Sequence, residues 1–159
     1  MTSQLELKVI TLLRSVELTQ SMETSHLKKL AAIAREVKFP ADRVIYRRGD
    51  TGQAVYLIED GEVVIEMDIP GKGLMVMNTL GPGQFFGWSS LFPSERKMAW
   101  TRTTKTTRAI AFDAAQLRAA CKNDHELDYA IVRRAAESTA DRIRLNRQQL
   151  NDLITPERA

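Results

Sequence analysis

Apolar and polar positions alternate in three different textures along this chain of 159 residues. At the start, Leu5, Val9, Leu12, Leu13 and Val16 recur every three or four positions, which gathers them on one face of a helix. After the polar stretch TQSMETS, Ser25 reads as the cap of a second helix whose stripe is Leu27, Leu30, Ala31, Ile33 and Ala34. From 37 to 113 the texture changes to short β-prone runs, VIYR, AVYLIE, VVIEM, LMVMNTL, AWTRT and RAIAF, separated by GDTG, EDG, PGKG and GPG. Many short strands with turn residues at near-regular intervals predict an all-β barrel or roll. Asp113 is placed to cap a short helix over 114–122, and Asp124 opens a last, long helix reaching about Leu153. The chain therefore divides into a helical region at 1–36, a β-roll at 37–113 and C-terminal helices at 114–159.

Along the last helix Tyr129, Val132, Ala136, Thr139, Ile143, Asn146, Leu150 and Leu153 step by three and four, the seam of a coiled coil. Asn146 is the residue type that sets register and favours two strands. Ala136, Thr139 and Asn146 make the seam weak or tunable. A parallel two-helix homodimer is the expected use, and packing of the seam on the chain's own roll is the alternative. A second stripe, Leu127, Ile131, Ala135, Ser138 and Leu145, lies on another face and is suited to dock on the roll.

Composition narrows the function classes. The 23 Lys and Arg are interspersed with 20 Asp and Glu, so a net charge of +3 describes a mixed surface rather than a nucleic-acid stripe. The single cysteine, Cys121, excludes disulfide frameworks and thiolate metal clusters within one chain, and fits a reduced, cytoplasmic setting as a packed small hydrophobe. No signal peptide or membrane-spanning run is visible, so no membrane insertion is expected. His26 and His125 stand in separate helical regions without ligand-spaced partners, and Glu59-Asp60 is a turn. No metal and no catalytic residues are expected, and the chain is not read as an enzyme.

The chemistry concentrates at 81–103, GPGQFFGWSSLFPSERKMAWTRT. A Gly-Pro-Gly turn leads to Phe85-Phe86, Gly87 opens a short helical segment at 88–92, and a basic pair, Arg96-Lys97, follows. Strand, glycine, helix start and cation make an anion pocket, because free backbone N–H groups and a positive side chain converge. This segment resembles the phosphate-binding cassette of the cyclic-nucleotide-binding domain family. RVIYRRGDTGQAVYLIEDGEVVIEM, with Gly49, Gly52 and Gly61 at the turns, and AWTRTTKTTRAIAFD extend the resemblance over nearly the whole chain. It is closest to the sensory half of catabolite-activator-type regulators.

The resemblance implies a mainly-β double-stranded β-helix, a jelly-roll or cupin-like β-roll, with N-terminal helices and a long C-terminal helix. It also implies where the ligand logic departs from the family. The glutamate that receives the ribose hydroxyl is replaced by Trp88, which has one N–H donor and no acceptor. The arginine that pairs with the cyclic phosphate is replaced by Lys97, which keeps the charge but loses the planar fork, and the small residue after it is Met98. Losing both contacts, about 1–3 kcal/mol each, would turn micromolar affinity into roughly millimolar. Gly87, Ser89, Ser90, Arg96 and Lys97 remain to hold an anion, with Trp88 and Met98 beside them, and Arg134, Ser138 and Thr139 of the long helix are candidates to reach it. The alternative is that Ser89 and Ser90 only cap the short helix and Lys97 is a solvated cation.

The expected function is a stand-alone, non-enzymatic sensor without a cofactor, whose candidate ligand is a small anion such as a cyclic nucleotide. It would signal through the long helix to a homodimer partner or another protein. No helix-turn-helix follows that helix in these residues, so direct DNA binding is not expected. The second reading is a ligand-free protein-interaction module whose pocket is plugged by Trp88.

Overall fold

Helix α1 (Gln4–Ser15) and helix α2 (Thr24–Ala32) lead into eight strands: β1 (Ala34–Phe39), β2 (Val44–Tyr46), β3 (Ala54–Asp60), β4 (Val63–Ile69), β5 (Gly73–Leu80), β6 (Phe85–Phe86), β7 (Trp100–Thr103) and β8 (Thr107–Asp113). A 3₁₀ turn, Trp88–Leu91, follows β6, and α3 (Ala114–Lys122) and α4 (His125–Ile154) close the chain. This computed structural model describes residues 2–154, and on α4 the side chains at 145, 149, 150, 153 and 154 lie outside that description.

The strands form two antiparallel four-stranded sheets, β1-β8-β3-β6 and β2-β7-β4-β5, facing each other as a β-roll. The six expected strand runs are all present, joined by β1 and by the two-residue β6. Ala34–Phe39 pairs in register with residues 107–112 of β8, so the chain is already extended at Ala34, where the helical stripe had been drawn through Ile33 and Ala34. Tertiary pairing overrides the local helical spacing there. Helix α2 also starts at Thr24, one residue before the expected Ser25 cap, behind a turn held by Arg14 donating to Met22 O at 2.7 Å and Thr24 Oγ1 at 2.6 Å.

Strand β3 explains how the roll and the helices share one sheet. Side chains alternate across a strand, so Ala54, Tyr56 and Ile58 enter the roll, while Val55 and Leu57 face the helices. Burial on both faces is why AVYLI reads as a continuous apolar run. Inside the roll, Tyr56 stacks on Phe86 with ring centroids 4.9 Å apart. Outside it, Phe85, Ile110 and Phe112 pack with Val9, Leu13, Leu27, Leu30, Leu117, Leu127 and Ile131.

Asp113 caps α3 as expected, accepting from Gln116 N at 2.9 Å, and Asp124 accepts from the amides of Glu126 and Leu127 at the start of α4. On α4, Leu127, Ile131 and Ala135 are buried against the core, which is the docking stripe. Tyr129, Val132, Ala136, Thr139 and Ile143 of the seam are exposed on another face, and Asn146 is half-buried. The seam leucine Leu150 has its side chain outside the described part. Among the described residues, no helix is long and apolar enough to cross a membrane.

Candidate functional site

Two glycines make room for the site. Gly87 sits at φ +92, and a Cβ there would stand 2.8 Å from Ala54 O, so only glycine links β6 to the 3₁₀ turn without strain. A Cβ on Gly52 would overlap the Ser90 hydroxyl and approach Lys97 Cε to 2.8 Å. Gly87→Ala is expected to lower stability by about 1–3 kcal/mol, read by chemical denaturation, because it combines a positive φ with a backbone collision.

Lys97 is brought inward by its backbone. Its N–H donates to Asp50 O and its C=O accepts from Gly49 N, both at 2.8 Å, which zips it to the GDTG turn. The side chain then runs past Gly52, and its ammonium donates to Ser89 Oγ at 2.7 Å and Ser90 Oγ at 3.0 Å. Ser90 spends its own proton on Ala54 O at 3.0 Å, which leaves its lone pairs for the lysine. The Tyr46 ring lies 4.1 Å from the ammonium, a cation–π contact, and its hydroxyl also donates to Ala54 O. Lys97 is only 8% exposed. Burial, and then the nearby Arg142 guanidinium, push its pKa down from 10.5 to about 8.

Arg142 comes from α4. Burial lowers its pKa too, and its guanidinium donates to Phe85 O at 3.4 Å. Among the described residues, neither Lys97 nor Arg142 forms an ion pair with a carboxylate. Two like charges out of water without a counter-ion are costly. Arg142 also borders a cavity of about 430 Å³ between α4, the 81–84 turn and the loop after α1, together with Leu80, Phe85, Ser138 and Asn78. Asn78 is buried, and its Oδ1 has no hydrogen-bond partner among the described residues. The amide of Ser90 is taken by Gly87 O, whereas those of Trp88 and Ser89 have no acceptor among the described residues.

Of the residues singled out in the sequence, Gly87, Ser89, Ser90 and Lys97 meet here. Arg96 instead reaches the carbonyl of Gly49 from the exposed side, and Met98 is 75% exposed. Ser138 lines the cavity, and Thr139 is on the exposed face of α4. Arg134 is tied to Leu18 O and Ser21 Oγ among the helices. The idea of Trp88 as the plug requires a correction: its indole packs in the helix-facing core, with its ring centroid 5.4 Å from that of Phe85, and the side chain standing over the serines is Lys97. The reason is the turn at Gly87. Strand alternation alone would send residue 88 to the roll side with Phe86, but β6 ends at Phe86 and the positive φ of Gly87 redirects the chain, so the ring joins Phe85 on the helix side. The Trp88 Nε1 is buried without a partner among the described residues. Arg142, Asn78 and Tyr46 escaped sequence reasoning. An interior Asn in an apolar strand was the available signal for Asn78, and Arg142 needed the helix placed against the roll.

Cys121 is buried against α4, and burial pushes its thiol up to about 11. It is expected to resist thiol reagents at pH 8 in the folded protein and to react promptly once unfolded, which a colorimetric thiol assay reads.

The comparisons with known proteins bear on the family and the fold. A family model, the cyclic nucleotide-binding domain, matches residues 36–124. The cAMP-activated global transcriptional regulator Vfr of Pseudomonas aeruginosa is 27% identical over 142 residues, which is 87% of this chain and 64% of that protein. The cAMP-dependent protein kinase regulatory subunit of Schizosaccharomyces pombe is 31% identical over 102 residues, 64% of this chain and 24% of that one. A crystal structure of a cyclic nucleotide-binding domain from Methylobacillus flagellatus shares the fold with a TM-score of 0.80 at 19% identity, covering 97% of this chain and 86% of its own. The chain spans 64% and 58% of the length of two bacterial regulators it matches. The chain belongs to the cyclic nucleotide-binding domain family.

Proposed function

We propose that this member of the cyclic nucleotide-binding domain family is a non-enzymatic regulatory module that takes a small anion, a cyclic nucleotide in the first instance, between the Ser89–Lys97 cassette and α4. The observation that carries this reading is the pair of desolvated cations, Lys97 and Arg142, without a carboxylate partner among the described residues. An anion arriving there relieves their repulsion and accepts charge-assisted hydrogen bonds. The unpartnered amides of Trp88 and Ser89 add donors. Asn78 Oδ1 offers an acceptor for a ligand N–H or O–H. With Trp88 in the core and lysine in place of arginine, affinity is weaker than in a module that keeps both family side chains.

Arg142 links occupancy to output. It stands on α4, so an anion that draws Lys97 and Arg142 together biases the position of that helix against the roll. The exposed seam of Tyr129, Val132, Ala136 and Ile143 then reports the change to a second copy, in a homodimer, or to another protein. Anion affinity is expected to be steady up to pH 7 and to fall as pH rises through about 8, towards tenfold per pH unit, as Lys97 loses its proton; the pH dependence of the dissociation constant checks this.

One observation favours a second reading, a ligand-free interaction module. The Lys97 ammonium already occupies both serine hydroxyls, so the cassette is filled by its own side chain. Titration calorimetry with cyclic AMP and cyclic GMP at pH 7 separates the two. Heat with one nucleotide per chain supports the sensor, and no heat with either nucleotide at millimolar concentration supports the scaffold.

A further inference from the structure

The N-terminal ends of α2 and α4 meet at a cluster outside the cassette, and there the two histidine regions that look unrelated in the sequence come together. Glu23, His26 and Glu126 each offer a ligand atom within 4.8 Å of the others. His26 is 6% exposed, and its imidazole has no hydrogen-bond partner among the described residues. It faces a cavity of about 460 Å³ that His125 also borders. Glu23 and Glu126 form no ion pair within that set, although Lys29 is close enough to pair with Asp124. Arg134, on the same cavity wall, is engaged with Leu18 O and Ser21 Oγ.

We propose that Glu23, His26 and Glu126 form a binding site for a divalent cation of the zinc class, clamping α2 to the first turn of α4. One imidazole nitrogen and two carboxylate oxygens are the mixed N/O set that such ions accept, and the fourth position is open to water or to His125. Two carboxylates balance the charge of the ion. Glu23 is the residue before α2 and Glu126 lies within the first turn of α4, so both carboxylates come from the ends of the two helices that the ion would join. A soft thiolate metal is not served by this set, and a hard cation such as Mg²⁺ gains nothing from the imidazole. An ion bound here fixes the root of α4, the helix proposed above as the output element, while the site itself stands independently of any anion at Lys97.

The test uses the full chain freed of metal by chelation, titrated with zinc chloride in parallel with magnesium chloride. The expected result is one zinc per chain by calorimetry and by elemental analysis after dialysis, no response to magnesium, and a melting temperature raised by roughly 5–10 °C at about a hundredfold excess over the dissociation constant. His26→Ala and Glu126→Gln are each expected to weaken zinc binding at least tenfold. Glu126 is exposed, so its variant keeps the fold even if His26→Ala does not, which circular dichroism in chelator verifies. Glu137→Gln, on the same helix but away from the cluster, is expected to bind zinc as the parent does. Absence of stoichiometric zinc, or undiminished zinc binding by Glu126→Gln, overturns the site.

Discussion

Lys97→Met is expected to cost the module its anion and to make the empty protein more stable. The side chains are similar in length, so the substitution removes charge with little change in packing. Binding loses a desolvated, charge-assisted contact, about 2–4 kcal/mol or thirty- to a thousandfold in affinity. Stability moves the other way. The ammonium titrates at about 8 instead of 10.5, chiefly because it is buried and then because Arg142 repels it. Below pH 8 the group is protonated in both the folded and unfolded chain, and the penalty, about 3 kcal/mol, opposes folding in full. Between about 8 and 10.5 the unfolded chain keeps the proton that the folded chain has released, so stability of the parent rises with pH across that window. The methionine variant lacks both the penalty and the rise. Urea denaturation of parent and variant at pH 7 and pH 10 checks the sign; a variant less stable than the parent at pH 7 would refute the idea of an uncompensated cation. Opposite effects on binding and stability mark a residue kept for its ligand rather than for the fold.

Trp88→Ala is expected to remove about 3–5 kcal/mol of stability, lowering the melting temperature by roughly 10 °C or more. The indole is 5% exposed and packs beside Phe85 in the core that the outer sheet face shares with the helices, so alanine leaves a large void there. Trp88→Phe is expected to cost far less, because it also deletes the buried Nε1 donor that has no partner. Trp88→Glu, the change that restores the family's usual side chain, is expected to be as damaging as alanine, since it sets a carboxylate among apolar groups unless it swings towards the cassette. Differential scanning calorimetry of the three variants ranks these costs, and an alanine variant as stable as the parent would place the indole outside the core.

The fold was readable from local signals wherever a residue's role depends on its neighbours in sequence. Strand runs, the Asp113 and Asp124 caps, the buried stripe of α4 and the glycine at 87 all belong to that kind. Ser89, Ser90 and Lys97 were also legible, because strand, glycine, turn and cation follow one another within a single segment. What was missed depends on long-range placement. Nothing near Arg142 says that its guanidinium reaches Phe85 O and acts on the Lys97 ammonium; that requires α4 to be packed against the roll. Glu23 and His26 lie about a hundred residues from Glu126, and only the docking of two helix ends brings them together. The alternative of Trp88 as a plug misplaces the ring for a related reason, since the sequence position says where the residue comes in the cassette but not which side of the sheet its ring takes.

The most direct measurement is the titration of the Lys97 ammonium itself, followed by nitrogen-detected NMR on lysine-labelled protein with and without cyclic AMP or cyclic GMP. A buried, uncompensated cation titrates near 8 in the free protein, and a bound anion is expected to move that midpoint upward, with the shift saturating at one nucleotide per chain. A midpoint near the ordinary lysine value in the free protein, or one that neither nucleotide moves at millimolar concentration, would contradict the assignment of this pocket to an anion.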